Sequence, residues 1–103
     1  MYPIFDDFVK AVIQDARTRI TSYCGSMLID IVHNRGGDEI LVIWANYETQ
    51  KGENYSFPII DGEKYTEEYN AGNDFSGYKY QLVNDMFNKM IHVESTQTGR
   101  PIR

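Results

Sequence analysis

Apolar residues near the start of the chain recur at helical spacing. Phe5, Phe8, Val9, Val12, Ala16 and Ile20 fall on one side, and Asp6, Lys10, Gln14 and Arg17 on the other. The pattern predicts an amphipathic helix over residues 4–20. Pro3 suits its first turn, where a missing N–H costs nothing. Asp6 and Asp7 suit the positive end of its dipole. The period then changes. Residues 26–34 and 39–47 read as two strands around Asn34-Arg35-Gly36-Gly37-Asp38, a sequence that permits positive φ at both centres of a tight hairpin. A two-residue loop at Gly36 and Gly37 pairs Arg35 with Asp38, His33 with Ile40, Ile31 with Val42 and Ile29 with Trp44. One face then carries Met27, Ile29, Ile31, Val42 and Trp44. The other carries Leu28, Val32, Leu41, Ile43 and Ala45, with Asp30 among them. A sheet wet on one side alternates more cleanly than this, so the second face is expected to be covered, by this chain or by a partner.

Residues 55–60 form a third expected strand after the polar loop 48–54. Pro58 cannot donate to a ladder, which places this strand at an edge. Residues 63–70 predict a short helix closed by Gly72, with Tyr65 and Tyr69 turned inward and Glu63 and Glu67 facing water. Ser76 reads as the N-cap of a last helix over residues 77–92, striped by Leu82, Val83, Met86, Phe87 and Met90. The fold class is α+β, in the order α-β-β-β-α-α, with helices on a small antiparallel sheet. The domain is expected to span residues 1–94, with a flexible polar tail over residues 95–103.

Composition narrows the picture further. At 103 residues, 42% of them hydrophobic, the chain has room for one core. One cysteine, Cys24, allows no internal disulfide, which fits a reducing compartment. The N-terminus lacks the basic and apolar regions of a signal peptide, and no apolar run reaches the length of a membrane span. The expectation is a cytoplasmic protein without a membrane partner.

Catalytic and metal chemistry find little support in the residue pattern. Cys24 with His33 or His92 would need a thiolate beside an imidazole, and a structural cysteine at a strand start is the better reading. His33 near the hairpin turn and His92 at a helix end do not have metal-ligand spacing. Asp30, on an apolar strand face, is the one carboxylate that burial could affect, and a strand-edge aspartate or a satisfied hydrogen-bond acceptor is the better reading. The Asn34–Asp38 loop lacks the Lys-Ser/Thr and following helix of a phosphate loop. No catalytic residue, metal site or cofactor is assigned. An α-β-β-β-α order is shared with double-stranded-RNA-binding domains, but those present basic residues to phosphates. This chain has a net charge of −5, so direct nucleic-acid binding is disfavoured.

That charge is concentrated. Between Asp38 and Asp74 lie nine carboxylates and two lysines, a net of −7, and the remainder of the chain carries +2. Solubility alone is the plain reading of such charge. Against it, the acids occupy one stretch and are interleaved with Tyr47, Tyr55, Tyr65, Tyr69, Phe75, Tyr78 and Tyr80, a side-chain type favoured at protein interfaces. The hairpin IDIVHNRGGDEILVIW and the acidic stretch YTEEYNAGND resemble, in layout and charge, small acidic phage-encoded anti-CRISPR proteins that block Cas9. The resemblance covers most of the chain and implies occupation of a basic DNA-binding cleft by carboxylates, as a partial DNA mimic, in the cytoplasm of a bacterial host cell. Together these readings give a non-enzymatic inhibitor of a basic, nucleic-acid-binding nuclease. The candidate contact residues are Asp38, Glu39, Glu48, Glu53, Glu63, Glu67, Glu68 and Asp74, with Tyr65 and Tyr69 as anchors. An immunity protein against a nuclease toxin fits the same physics. A homodimeric interaction or assembly module is the alternative raised by the second sheet face.

Overall fold

A computed structural model describes residues 2–24, 27–45 and 51–98. The chain runs α1 (Phe5–Cys24), β1 (Leu28–Asn34), β2 (Glu39–Ala45), β3 (Gly52–Pro58), α2 (Gly62–Asn70) and α3 (Ser76–Thr98). This is the expected α+β order. The strands form one antiparallel sheet, ordered β1-β2-β3, so β3 with Pro58 is an edge strand. Among the described residues, no helix is long and apolar enough to cross a membrane.

The apolar stripe of α1 is its buried side: Phe8, Val9, Val12, Ala16 and Ile20 are almost fully enclosed. They meet Leu82, Val83, Met86, Phe87 and Met90 of α3, and Ile31, Ile40, Val42 and Trp44 from the inner face of the sheet. Burying a side chain of this size contributes about 1.5–3 kcal/mol. This one cluster therefore holds both long helices to one face of the sheet.

Local boundaries differ from the sequence reading in several places. Helix α1 runs on to Cys24, which is a helix end and not a strand start. Helix α3 begins at Ser76, one residue earlier than read. Its first backbone bond, Lys79 N–H to the Phe75 carbonyl at 2.9 Å, makes Ser76 the first helical residue and not the cap. It also continues past His92, so residues 95–98 are helical.

The hairpin keeps its expected register from Asn34↔Glu39 to Asp30↔Ile43, but its turn is different. Residues 35–38 form a four-residue loop, and the positive φ, 47°, falls on Asp38 and on neither glycine. Loops of this length are built on a type I turn, which asks for a left-handed residue at its end. Asp38 tolerates that conformation better than most side chains. Gly37 serves close approach instead: a Cβ there would sit 3.3 Å from the Asn34 amide nitrogen and 3.4 Å from the Glu39 carboxylate.

A bulge lies between Leu28 and Asp30, so Leu28 and not Ile29 stands opposite Trp44. A one-residue slip turns a side chain to the other face. Ile29 accordingly leaves the core, 58% exposed, and lies on the outer face near Gly52 and Ile43. Asp30 anchors the bulge. Its carboxylate accepts the Ile31 N–H at 2.8 Å and Arg17 Nη2 at 2.9 Å. Asp30 is thus a half-exposed, satisfied hydrogen-bond acceptor on an edge strand, as expected. Ile29 and Asp30 are exposed on the outer face, with Val32, Leu41 and Ile43 half-buried. The described residues do not provide the cover expected there.

Candidate functional site

The acidic residues are best located from the junction between β3 and α2. Ile59 donates its N–H to the Asp38 carbonyl at 3.0 Å, which ties the hairpin tip to this junction. Asn34 Nδ2 donates to Glu39 Oε1 at 2.9 Å, fixing Glu39 beside the turn. On the α1 side, Arg35 Nη1 donates to both oxygens of Asp6, at 2.9 and 3.1 Å. The Phe5 ring packs edge-on to His33 with centroids 5.8 Å apart. Phe5 also lies against Gly62, where an added Cβ would be 3.0 Å from its ring. The hairpin tip, the start of α1 and the start of α2 therefore converge.

Helix α2 starts at an Asp61 cap, whose carboxylate accepts the Lys64 N–H at 2.8 Å. It ends in a Schellman motif: Gly72, at φ 92°, donates to the Tyr69 carbonyl, and Asn73 donates to the Glu68 carbonyl. Glu63 and Glu67 are exposed, one turn apart on the same flank of the helix. The Schellman reversal brings Asp74 back towards Glu68. Both line an open cleft of about 360 Å³ with Ile60, Asn73, Phe75 and Tyr78. Asp74 accepts the Ser76 N–H at 2.9 Å. That backbone bond, with a second bond from the Ser76 hydroxyl, holds its carboxyl below the usual carboxylate range.

Of the expected contact residues, Asp38 and Glu39 sit at the hairpin tip near the start of α2, Glu63 and Glu67 lie along one flank of α2, and Glu68 and Asp74 meet at the cleft beyond its end. Glu53 does not join them. It sits five residues from Pro58 along β3, roughly 17 Å at strand rise. Strand alternation also turns it to the helix-facing side, where Tyr55 donates to its carboxylate at 2.6 Å. Glu48 lies outside the described residues. Tyr65 is not a surface anchor. It is fully buried, its hydroxyl donates to the Tyr2 carbonyl, and its ring lies 4.4 Å from Phe75 and 4.8 Å from Phe8. Tyr69, half-buried, stacks on Tyr65 at 6.2 Å.

Basic side chains are distributed differently from these acids. Arg17 holds Asp30, Arg35 holds Asp6 and Lys79 holds Asp15. Arg19 lies over Phe87, 4.2 Å from its centroid. Among the described residues, no lysine or arginine is bonded to Asp38, Glu39, Glu63, Glu67, Glu68 or Asp74. Among the described residues, Asp6, Asp15 and Asp30 each have a basic side-chain partner, and these six have no lysine or arginine partner.

No family model, curated protein or solved structure matches the chain. Among the described residues, no group of three His, Cys, Asp or Glu side chains is placed to hold a metal ion. His33 Nε2 and Trp44 Nε1 are buried without a hydrogen-bond partner among the described residues. Burial, and then the nearby Arg35 charge, lower the His33 pKa from its ordinary 6.5, against smaller opposing effects of Asp6 and Asp38. A neutral His33 fits its place against Phe5.

The sequence pattern does not reveal the cleft walls. It places Ile60 at the end of a strand, and Phe75 and Tyr78 only as aromatics among acids. Gly72 is the available signal, since a glycine-closed helix followed at once by another reverses the chain and brings their ends together.

Proposed function

We propose that the chain is a non-enzymatic inhibitor that presents carboxylates to the basic nucleic-acid cleft of a nuclease, in the manner of an anti-CRISPR DNA mimic. One observation carries this reading. Six carboxylates are placed from the hairpin tip along α2 to the cleft beyond its end, with no lysine or arginine partner among the described residues, while Asp6, Asp15 and Asp30 are each paired within the fold. Unpaired, solvated acids keep their full attraction for an approaching basic surface. They also form charge-assisted hydrogen bonds with Arg and Lys on contact. The physics applies equally to an immunity protein directed at a nuclease toxin. The test is competition: the protein added to an RNA-guided DNA nuclease should displace DNA from it, and less so as salt rises. Unaltered DNA binding at excess protein, for this nuclease and for nuclease toxins, would remove the proposal.

A second reading, a homodimeric interaction module, is favoured by the outer sheet face. Ile29, Val32, Leu41, Ile43 and Ala45 form an apolar band there. Light scattering at micromolar concentration separates the two. A dimer that Ile43→Lys converts to a monomer supports the module, and a wild-type monomer rejects it.

A further inference from the structure

We infer that the cleft between α2 and the start of α3 receives an arginine side chain of the partner, with Glu68 and Asp74 as its anionic rim and Phe75 and Tyr78 as its aromatic wall. The inference rests on the reading above that the partner is basic, and it deepens that reading by assigning one contact.

Size comes first. At about 360 Å³, the cleft lies at the small end of ligand sites, which run roughly 300–1,000 Å³. It suits a single side chain better than a cofactor. Chemistry comes second. A cleft with apolar walls of Ile60, Phe75 and Tyr78 and two carboxylates fits a group that is both flat and cationic. Guanidinium meets both demands: it forks onto carboxylates and stacks on aromatic faces, whereas an ammonium is a compact, strongly hydrated charge.

Rigidity comes third. Phe75 is 6% exposed and packs against Tyr65 and Phe8 with centroids 4.4 and 5.8 Å away. Tyr78 lies nearly parallel to Phe8 at 6.0 Å, and its hydroxyl oxygen accepts the Ile60 N–H at 2.8 Å. The Schellman motif fixes the chain between Glu68 and Asp74, and the Ser76 N–H orients the Asp74 carboxylate. Walls already held in place lose little freedom when a ligand seats.

The test is an NMR titration of the isotope-labelled protein with N-acetyl-arginine amide, beside its neutral isostere N-acetyl-citrulline amide. Saturable shifts should centre on residues 60, 68 and 73–78. Binding should weaken roughly 3- to 10-fold for citrulline and for the Glu68→Gln, Asp74→Asn double variant. The side-chain amide introduced by Asp74→Asn can still accept the Ser76 N–H through its oxygen, so the variant should melt with the wild type. Shifts scattered over the surface, or equal binding of the two amides, overturn the inference. If arginine seats here but no nuclease is inhibited, the inhibitor reading fails and the cleft stands. If inhibition survives the double variant undiminished, the cleft assignment fails and the inhibitor reading stands.

Discussion

Tyr65 separates a core role from a contact role, because its two available truncations remove different things. Tyr65→Phe removes only the hydroxyl that donates to the Tyr2 carbonyl. Tyr2 is half-exposed, so water can replace the lost donor, and the cost should be about 0.5–1.5 kcal/mol. Tyr65→Ala also removes a ring that is fully buried and lies within 4.4–6.2 Å of Phe75, Phe8, Phe5 and Tyr69. Large-to-small changes of buried aromatics cost about 3–5 kcal/mol, a large share of the roughly 5–15 kcal/mol that holds a domain folded. At about 4–8 °C per kcal/mol for a domain of this size, Tyr65→Phe should lower the melting midpoint by several degrees. Tyr65→Ala should lower it by tens of degrees or leave the chain unfolded. Circular dichroism during thermal and urea denaturation measures both. Burial also raises the Tyr65 pKa above 10.0. A raised folded value means that its contribution is complete below pH 10.0 and is lost as pH rises through the folded pKa, so Tyr65→Phe should blunt alkaline unfolding. A Tyr65→Ala protein that melts with the wild type would refute the packing account. It would return Tyr65 to the surface residues available to a partner.

Two further perturbations probe the frame around the acidic region. His33 has a lowered pKa, so its contribution is complete above the ordinary 6.5 and is lost as pH falls through the folded value. His33→Leu should flatten the decline in urea midpoint between about pH 7.5 and pH 5, and an unchanged slope would remove His33 as its source. Gly72 sits at φ 92°, where a side chain is strained by roughly 1–2 kcal/mol. Gly72→Ala should lower the melting midpoint by several degrees, and a neutral result would show that the Schellman turn has another route.

Local patterns were the legible part of this chain. The stripe from Phe5 to Ile20, the paired strands around Gly36 and Gly37, and the glycine closing α2 each depend on neighbours within a few residues. The bulge at Ile29 was not legible, because Leu28 and Ile29 are equally apolar. What decides between them is Arg17, thirteen residues from Asp30 and on another element. The positive φ at Asp38 was missed because two adjacent glycines offer an easier site, yet the four-residue loop needs that conformation one position later. Tyr65 and Tyr69 read as inward-facing and also as anchors, and only tertiary packing separates these roles. The grouping of carboxylates was half legible. Sequence shows them in one stretch, but Glu53 leaves the group because strand alternation and length carry it away. The Ile59 bond ties Asp38 to the segment that leads into α2, which no local pattern encodes.

The central claim is that position, and not total charge, makes these acids a binding surface. Glu67→Lys and Asp85→Lys each change the net charge from −5 to −3. Both residues are exposed, Glu67 on α2 and Asp85 on α3. The decisive measurement is nuclease inhibition by Glu67→Lys, by Glu63→Lys with Glu67→Lys, and by Asp85→Lys, each beside wild type after matched melting curves. The α2 reversals should weaken inhibition by about tenfold or more, while Asp85→Lys stays close to wild type. Full inhibition by the α2 double variant, or equal losses for Glu67→Lys and Asp85→Lys, would contradict the account.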